Sequence, residues 1–109
     1  MMWNELLNEV NQSVMQLMSE DKNVTALISK TTNAISAGEH LDPKTKELIA
    51  IAVAVTTRCE GCIAAHAKKA SELGVTKAEL IDAITVAIAL NAGAAIVYSS
   101  KAFDAWNNL

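Results

Sequence analysis

Residues 47–66 read Glu47-Leu-Ile-Ala-Ile-Ala-Val-Ala-Val-Thr-Thr-Arg-Cys59-Glu-Gly-Cys62-Ile-Ala-Ala-His66. The run from Leu48 to Val55 is apolar on nearly every face of a helix, and such a helix has to be covered all round. Thr56, Thr57 and Arg58 break it, and a new helix is expected to start near Cys59. A sulfur in the first turn of that helix faces unpaired backbone N–H groups and the positive end of the helix dipole, which favour the thiolate over the thiol. Cys62 follows three residues later on the same face, and His66 lies one turn beyond Cys62. The chain's only two cysteines therefore stand beside a base, and Glu47 one helix earlier is the candidate to fix the imidazole's tautomer and support its positive charge. Such a group can make a reactive thiolate and trap its oxidised product as a disulfide.

Working outward, apolar residues recur at three-to-four spacing almost throughout, and no segment alternates in the manner of a strand. An all-α fold of six helices in a single domain over residues 1–109 is expected. Trp3 to Ser19 forms an amphipathic first helix with Leu6, Leu7, Val10, Val14, Leu17 and Met18 on one stripe. A second runs from about Val24 to Ala37, with Gly38 as a left-handed terminator. Asp42-Pro43 supplies an N-cap and a first-turn proline for the third helix. The fourth ends at Gly74, and Thr76-Lys77-Ala78-Glu79 is a capping box for a fifth that reaches about Asn91. Asn91, Ala92 and Gly93 read as a break before a sixth helix, Ala94 to Trp106.

Composition removes several function classes. Half of the 109 residues are hydrophobic (51%) while 4% are aromatic, so Ala, Val, Ile and Leu supply the core and helices can approach closely. The formal net charge of -3 leaves no basic field for a phosphate backbone, and nucleic acid is not an expected partner. The acidic N-terminal stretch Met-Met-Trp-Asn-Glu-Leu-Leu-Asn-Glu lacks the charge and apolar run of a signal peptide, which points to the cytoplasm. There a structural disulfide is out of place, and a close cysteine pair reads as redox-active or metal-binding. Leu80 to Tyr98 nears membrane-span length, but Asp82 and Asn91 within it argue against a span.

A Cys-x-x-Cys pair also occurs in zinc sites and thioredoxin-like folds. The chain has neither a second cysteine pair nor a strand-helix-strand context, and Ile63 stands where haem attachment needs histidine. No cofactor is expected. Three metal ligands, Cys59, Cys62 and His66, with Glu47 as a fourth, form the alternative, and two plainly buried small residues form another. His40 reads as a loop residue, Lys68 and Lys69 as a solvated face, and Arg58 either as an aid to the thiolate or as surface. Trp3, Tyr98, Phe103 and Trp106 read as packing or subunit contacts.

Glu47, eleven residues, Cys59, two residues, Cys62, three residues and His66 together resemble the signature of the alkyl hydroperoxidase D-like (AhpD-like) core of the carboxymuconolactone decarboxylase superfamily. The resemblance runs from about Leu41 through Leu90, including Asp42-Pro-Lys-Thr-Lys-Glu-Leu-Ile-Ala50 and Leu73-Gly-Val-Thr-Lys-Ala-Glu-Leu80. It implies a peroxidase cycle: one thiolate attacks an organic or hydrogen peroxide, the other cysteine condenses with the sulfenic acid, and an external thiol reductant reopens the disulfide. It implies too that Glu47 and His66 relay the proton, and that the subunits assemble as trimers or hexamers, with a hexamer favoured. Better-characterised peroxidases of this kind carry a histidine just before the second cysteine, where this chain has Gly61. The superfamily's true decarboxylases lack the cysteine pair, so lactone decarboxylation fits poorly.

The sequence leaves the attacking cysteine open. Helix position makes Cys59 the more exposed sulfur, whereas the neighbouring His66 favours Cys62. A non-peroxidatic disulfide oxidoreductase and a non-catalytic assembly or metal-binding protein stand as the other functions. The all-round apolar third helix and the Leu80 to Tyr98 segment are hard to cover in one small subunit, and self-association is expected.

Overall fold

A computed structural model describes residues 2–109; Met1, the first residue of the acidic N-terminal stretch, lies outside the described residues. The described chain is all-helical, with α1 Trp3–Glu20, α2 Lys22–Ala37, α3 Pro43–Thr57, α4 Glu60–Glu72 and α5 Lys77–Asn107. It therefore has five helices among the described residues, where the sequence predicts six. The expected break at Asn91 to Gly93 does not form, and α5 runs unbroken for 31 residues. Asn91 explains why: its side-chain amide donates to the Ala87 carbonyl at 2.7 Å and to Thr56 Oγ1 of α3 at 3.2 Å, so it bonds along the helix instead of ending it. Gly38 also departs from expectation, since its φ of -71° is extended and not left-handed.

The other punctuation acts as read. Asp42 caps α3 by accepting the Thr45 N–H at 2.8 Å, and that bond holds its carboxyl below the ordinary value of 3.8. Thr76 and Glu79 exchange bonds of 3.1 and 2.9 Å, a full capping box at the start of α5. The Thr76 N–H, then Lys44, lowers the Glu79 carboxyl from 4.5. Lys44 lies 3.3 Å from Glu79 and links the starts of α3 and α5. Gly74, at φ +85°, ends α4 in the left-handed region that glycine occupies without penalty.

α3 is the centre of the molecule. It packs against α4 on one side and α5 on another, while α1 packs on α4 and on α2. The buried apolar residues are Leu7, Ile51, Ala54, Ala64, Ala70 and Ala87, and the preponderance of alanine lets the backbones come close. The core is thin. Val53 on α3 is 55% exposed and Ile49 47%, so the helix that is apolar all round is not covered all round within one subunit.

α5 makes the molecule long. Its length and composition suffice to cross a bilayer, yet its first half packs on α3 and its second half carries exposed Ile96, Val97, Tyr98, Phe103 and Trp106. The aromatic residues there do not pack inside the subunit. The radius of gyration is 17.8 Å, against roughly 13 Å for a compact chain of this length.

Candidate active site

α3 ends in a way that sets the position of both sulfurs. Arg58 takes the left-handed conformation (φ 57°) usually given to glycine, its N–H reaches Val55 O at 3.3 Å, and the Cys59 N–H reaches Ala54 O at 3.0 Å. The chain thus reverses in two residues and delivers Cys59 to the N-cap of α4. Holding a non-glycine residue there costs about 1 kcal/mol, and the return is a cysteine anchored to α3. Cys59 Sγ accepts the Cys62 N–H at 3.2 Å, the helix-terminal contact that favours a thiolate.

Cys59 and Cys62 form a disulfide with a Cα–Cα distance of 5.2 Å. Of the two, Cys62 is the more exposed and Cys59 is half-buried, the reverse of the sequence expectation. The reason is the N-cap role: a side chain that folds back onto its own helix end is shielded by it, whereas Cys62 projects from the first turn.

Behind them lies the one buried charged residue among those described. Glu47 is 2% exposed, and its Oε2 stands 2.6 Å from His66 Nδ1. An ionised carboxylate can only accept, so Nδ1 carries the hydrogen and Nε2 is left as the free basic nitrogen. The second carboxylate oxygen, Oε1, faces Lys69 Nζ at 3.7 Å. The sequence assigned Lys69 to a solvated face. Its place three residues after His66, on the same side of α4, was the signal that could have marked it.

Cys62 and His66 share the wall of a cavity of about 510 Å³ between α2, the following loop, α3 and α4. Ile35, Leu41, Ile49 and Val53 make the rest of that wall largely apolar. Cys59 is not among the residues lining it. Lys46 ties the end of α2 to α3 by donating to the Gly38 carbonyl.

Gly61 has a packing reason. A Cβ there would sit 3.3 Å from Val10 Cγ1 and 3.5 Å from Cγ2 of α1. Both methyls face the position, so turning the stiff valine rotamer brings one in as the other leaves, and a larger residue has to push α1 away. A histidine before the second cysteine would thus crowd Val10, and α1 would have to give by a few tenths of an ångström to take its Cβ.

The four residues singled out from sequence are brought together: the two sulfurs joined, the imidazole and carboxylate bonded, His66 and Cys62 in one cavity wall. No group of three or more His, Cys, Asp or Glu side chains among the described residues is disposed to hold a metal ion. Both sulfurs are committed to each other, and the Glu47 carboxylate to His66 and Lys69.

These features define an all-helical protein with a Cys-x-x-Cys disulfide set against a buried carboxylate–imidazole pair. A family model, "Carboxymuconolactone decarboxylase family", matches residues 23–105, and the chain belongs to that family. An uncharacterized protein of Haemophilus influenzae is 45% identical over 105 residues, covering 96% of this chain and 93% of that one. Among solved structures, a carboxymuconolactone decarboxylase family protein of Legionella pneumophila in its apo form superposes with a TM-score of 0.77 at 28% identity, covering 90% of this chain and 88% of that one. A protein of Methanobacterium thermoautotrophicum gives a TM-score of 0.73 at 32% identity over 80% of this chain and 98% of its own.

Proposed function

We propose that the protein is a thiol-dependent peroxidase of the AhpD-like type acting on organic hydroperoxides, with Cys62 attacking and Cys59 resolving. One observation carries this reading: the 2.6 Å Glu47–His66 pair stands behind a cavity whose wall holds Cys62. His66 Nε2 takes the Cys62 thiol proton, and the thiolate attacks the terminal oxygen of R–O–O–H. An S–O bond forms as the O–O bond breaks, leaving Cys62 as a sulfenic acid, and the departing alkoxide receives the proton from His66 as an alcohol. The Cys59 thiolate, stabilised at the helix end, then attacks the sulfenic sulfur; hydroxide leaves and is protonated to water. An external dithiol reopens the disulfide by exchange, itself becoming oxidised. The apolar cavity favours a hydrocarbon-bearing hydroperoxide over hydrogen peroxide.

The purified protein is expected to consume cumene hydroperoxide with dithiothreitol as reductant, and faster than it consumes hydrogen peroxide. No loss of either peroxide above a protein-free control would overturn the reading. Gly61 supports a second reading, a disulfide oxidoreductase without peroxidase activity, because this chain lacks the extra histidine of the better-characterised peroxidases and a Cβ at that position would crowd Val10 of α1. Reduction of a model disulfide without peroxide loss would select it. The cytoplasm, with its thiol pool, is the compartment that suits either cycle.

The subunit also self-associates in this proposal, as a trimer or a hexamer, with the hexamer favoured. Its accessible surface is 8539 Å², against roughly 5,800 Å² for a compact monomer of the same mass. The excess lies where the apolar side chains of α3 and α5 are bare, and Asp82 within α5 favours a protein partner over a bilayer for that surface. Light scattering should give a multiple of 11.6 kDa, and a monomer mass at micromolar concentration would end this part.

A further inference from the structure

We propose that Lys69 is a positioning residue for the Glu47–His66 pair: its ammonium, 3.7 Å from Glu47 Oε1, balances the buried carboxylate and limits how firmly His66 keeps a proton. The inference rests on His66 acting as the base of the thiol pair. Glu47 is 2% exposed, and a carboxylate removed from water needs a compensating charge. While His66 is neutral, Lys69 supplies it. Once His66 takes the Cys62 proton, the carboxylate has a cation on each oxygen, and Lys69 opposes the new charge on the ring. The imidazolium is thereby made a readier acid for the departing alkoxide.

Other charges near the pair do not duplicate this one. From α3, Lys46 lines cavities with both Glu47 and His66, but its ammonium is bonded to the Gly38 carbonyl. From α2 and the loop after it, the residues at those cavities are Ala34, Ile35, Ser36, Gly38 and Leu41, none of them charged. On α4 itself, Cys62 is held in the disulfide and does not titrate. Lys69 is 58% exposed, so solvent weakens its field without removing it.

The test follows the histidine ring signals by NMR across pH in the oxidised full-length protein. The chain has two histidines, so His40 serves as an internal reference. Lys69→Met should raise the titration midpoint of His66 by about half a pH unit or more, roughly threefold in proton affinity. Lys69→Arg should restore it, while Lys68→Met should leave it alone and His40 should not move in any variant. An unmoved His66 in Lys69→Met, or failure of arginine to restore the midpoint, would overturn the proposal. The titration uses no peroxide, so loss of the peroxidase reading and loss of this one are told apart.

Discussion

Serine in place of Cys62 is expected to abolish hydroperoxide reduction, lowering turnover by about 10³-fold or more, because no other thiol stands in the cavity wall. Serine in place of Cys59 should behave differently. The first attack survives, one sulfenic acid forms per subunit, and a 1,3-dicarbonyl reagent such as dimedone traps it. Steady turnover then drops to whatever rate an external thiol reaches Cys62 directly. The asymmetry follows from placement: Cys62 lines the cavity with His66, whereas Cys59 is half-buried on the helix end. Mass spectrometry of the dimedone adduct reads it directly. A trapped adduct in Cys62→Ser and none in Cys59→Ser would reverse the roles. Full turnover in both variants would remove thiol chemistry from the site.

How much of this was legible in the sequence depends on how local the cause is. The caps at Asp42 and Thr76 use side chains within three residues of the amides they satisfy, and both form as read. The cluster of Glu47, Cys59, Cys62 and His66 was legible as well, since helix spacing aligns the last three and only Glu47 needs tertiary packing to join them. Asn91 misled because its preference for turns is overridden by a partner on another helix, Thr56, that local pattern cannot reveal. The relative exposure of the sulfurs was misjudged for a similar reason: first-turn position suggests openness, but an N-cap side chain is covered by the backbone it caps. Lys69 was hidden by its own exposure, for most lysines on such a face touch nothing charged. Gly61 could be flagged only as a departure from a pattern; its cause is Val10 on α1, some fifty residues away in the chain.

Glu47→Gln is the sharper test of the proton path, because it changes charge and almost nothing else. The amide oxygen can still accept the His66 Nδ1 hydrogen that Glu47 Oε2 now accepts at 2.6 Å, so tautomer and ring orientation persist. Its NH₂ then faces Lys69, a donor against a donor, which costs about 1 kcal/mol. Relief from burying a carboxylate offsets that cost in part. The melting temperature should therefore shift by only a few degrees, while peroxide turnover falls by about 10² to 10⁴-fold, the usual worth of a lost acid–base partner. The imidazolium formed when Cys62 ionises has lost the anion that stabilised it. Iodoacetamide alkylation of the reduced protein separates this from a general loss of structure: at neutral pH the variant should react more slowly, and above about pH 9 the two rates should converge, because hydroxide then deprotonates the thiol without help. Glu47→Leu should lose activity equally and cost more stability than the amide, since it takes away one partner of the pair and leaves the His66 Nδ1 hydrogen without its acceptor. A carboxylate that an amide can replace at little cost to folding, yet kept at 2% exposure beside a histidine, is explained by chemistry. Unchanged turnover in Glu47→Gln would leave it without that explanation.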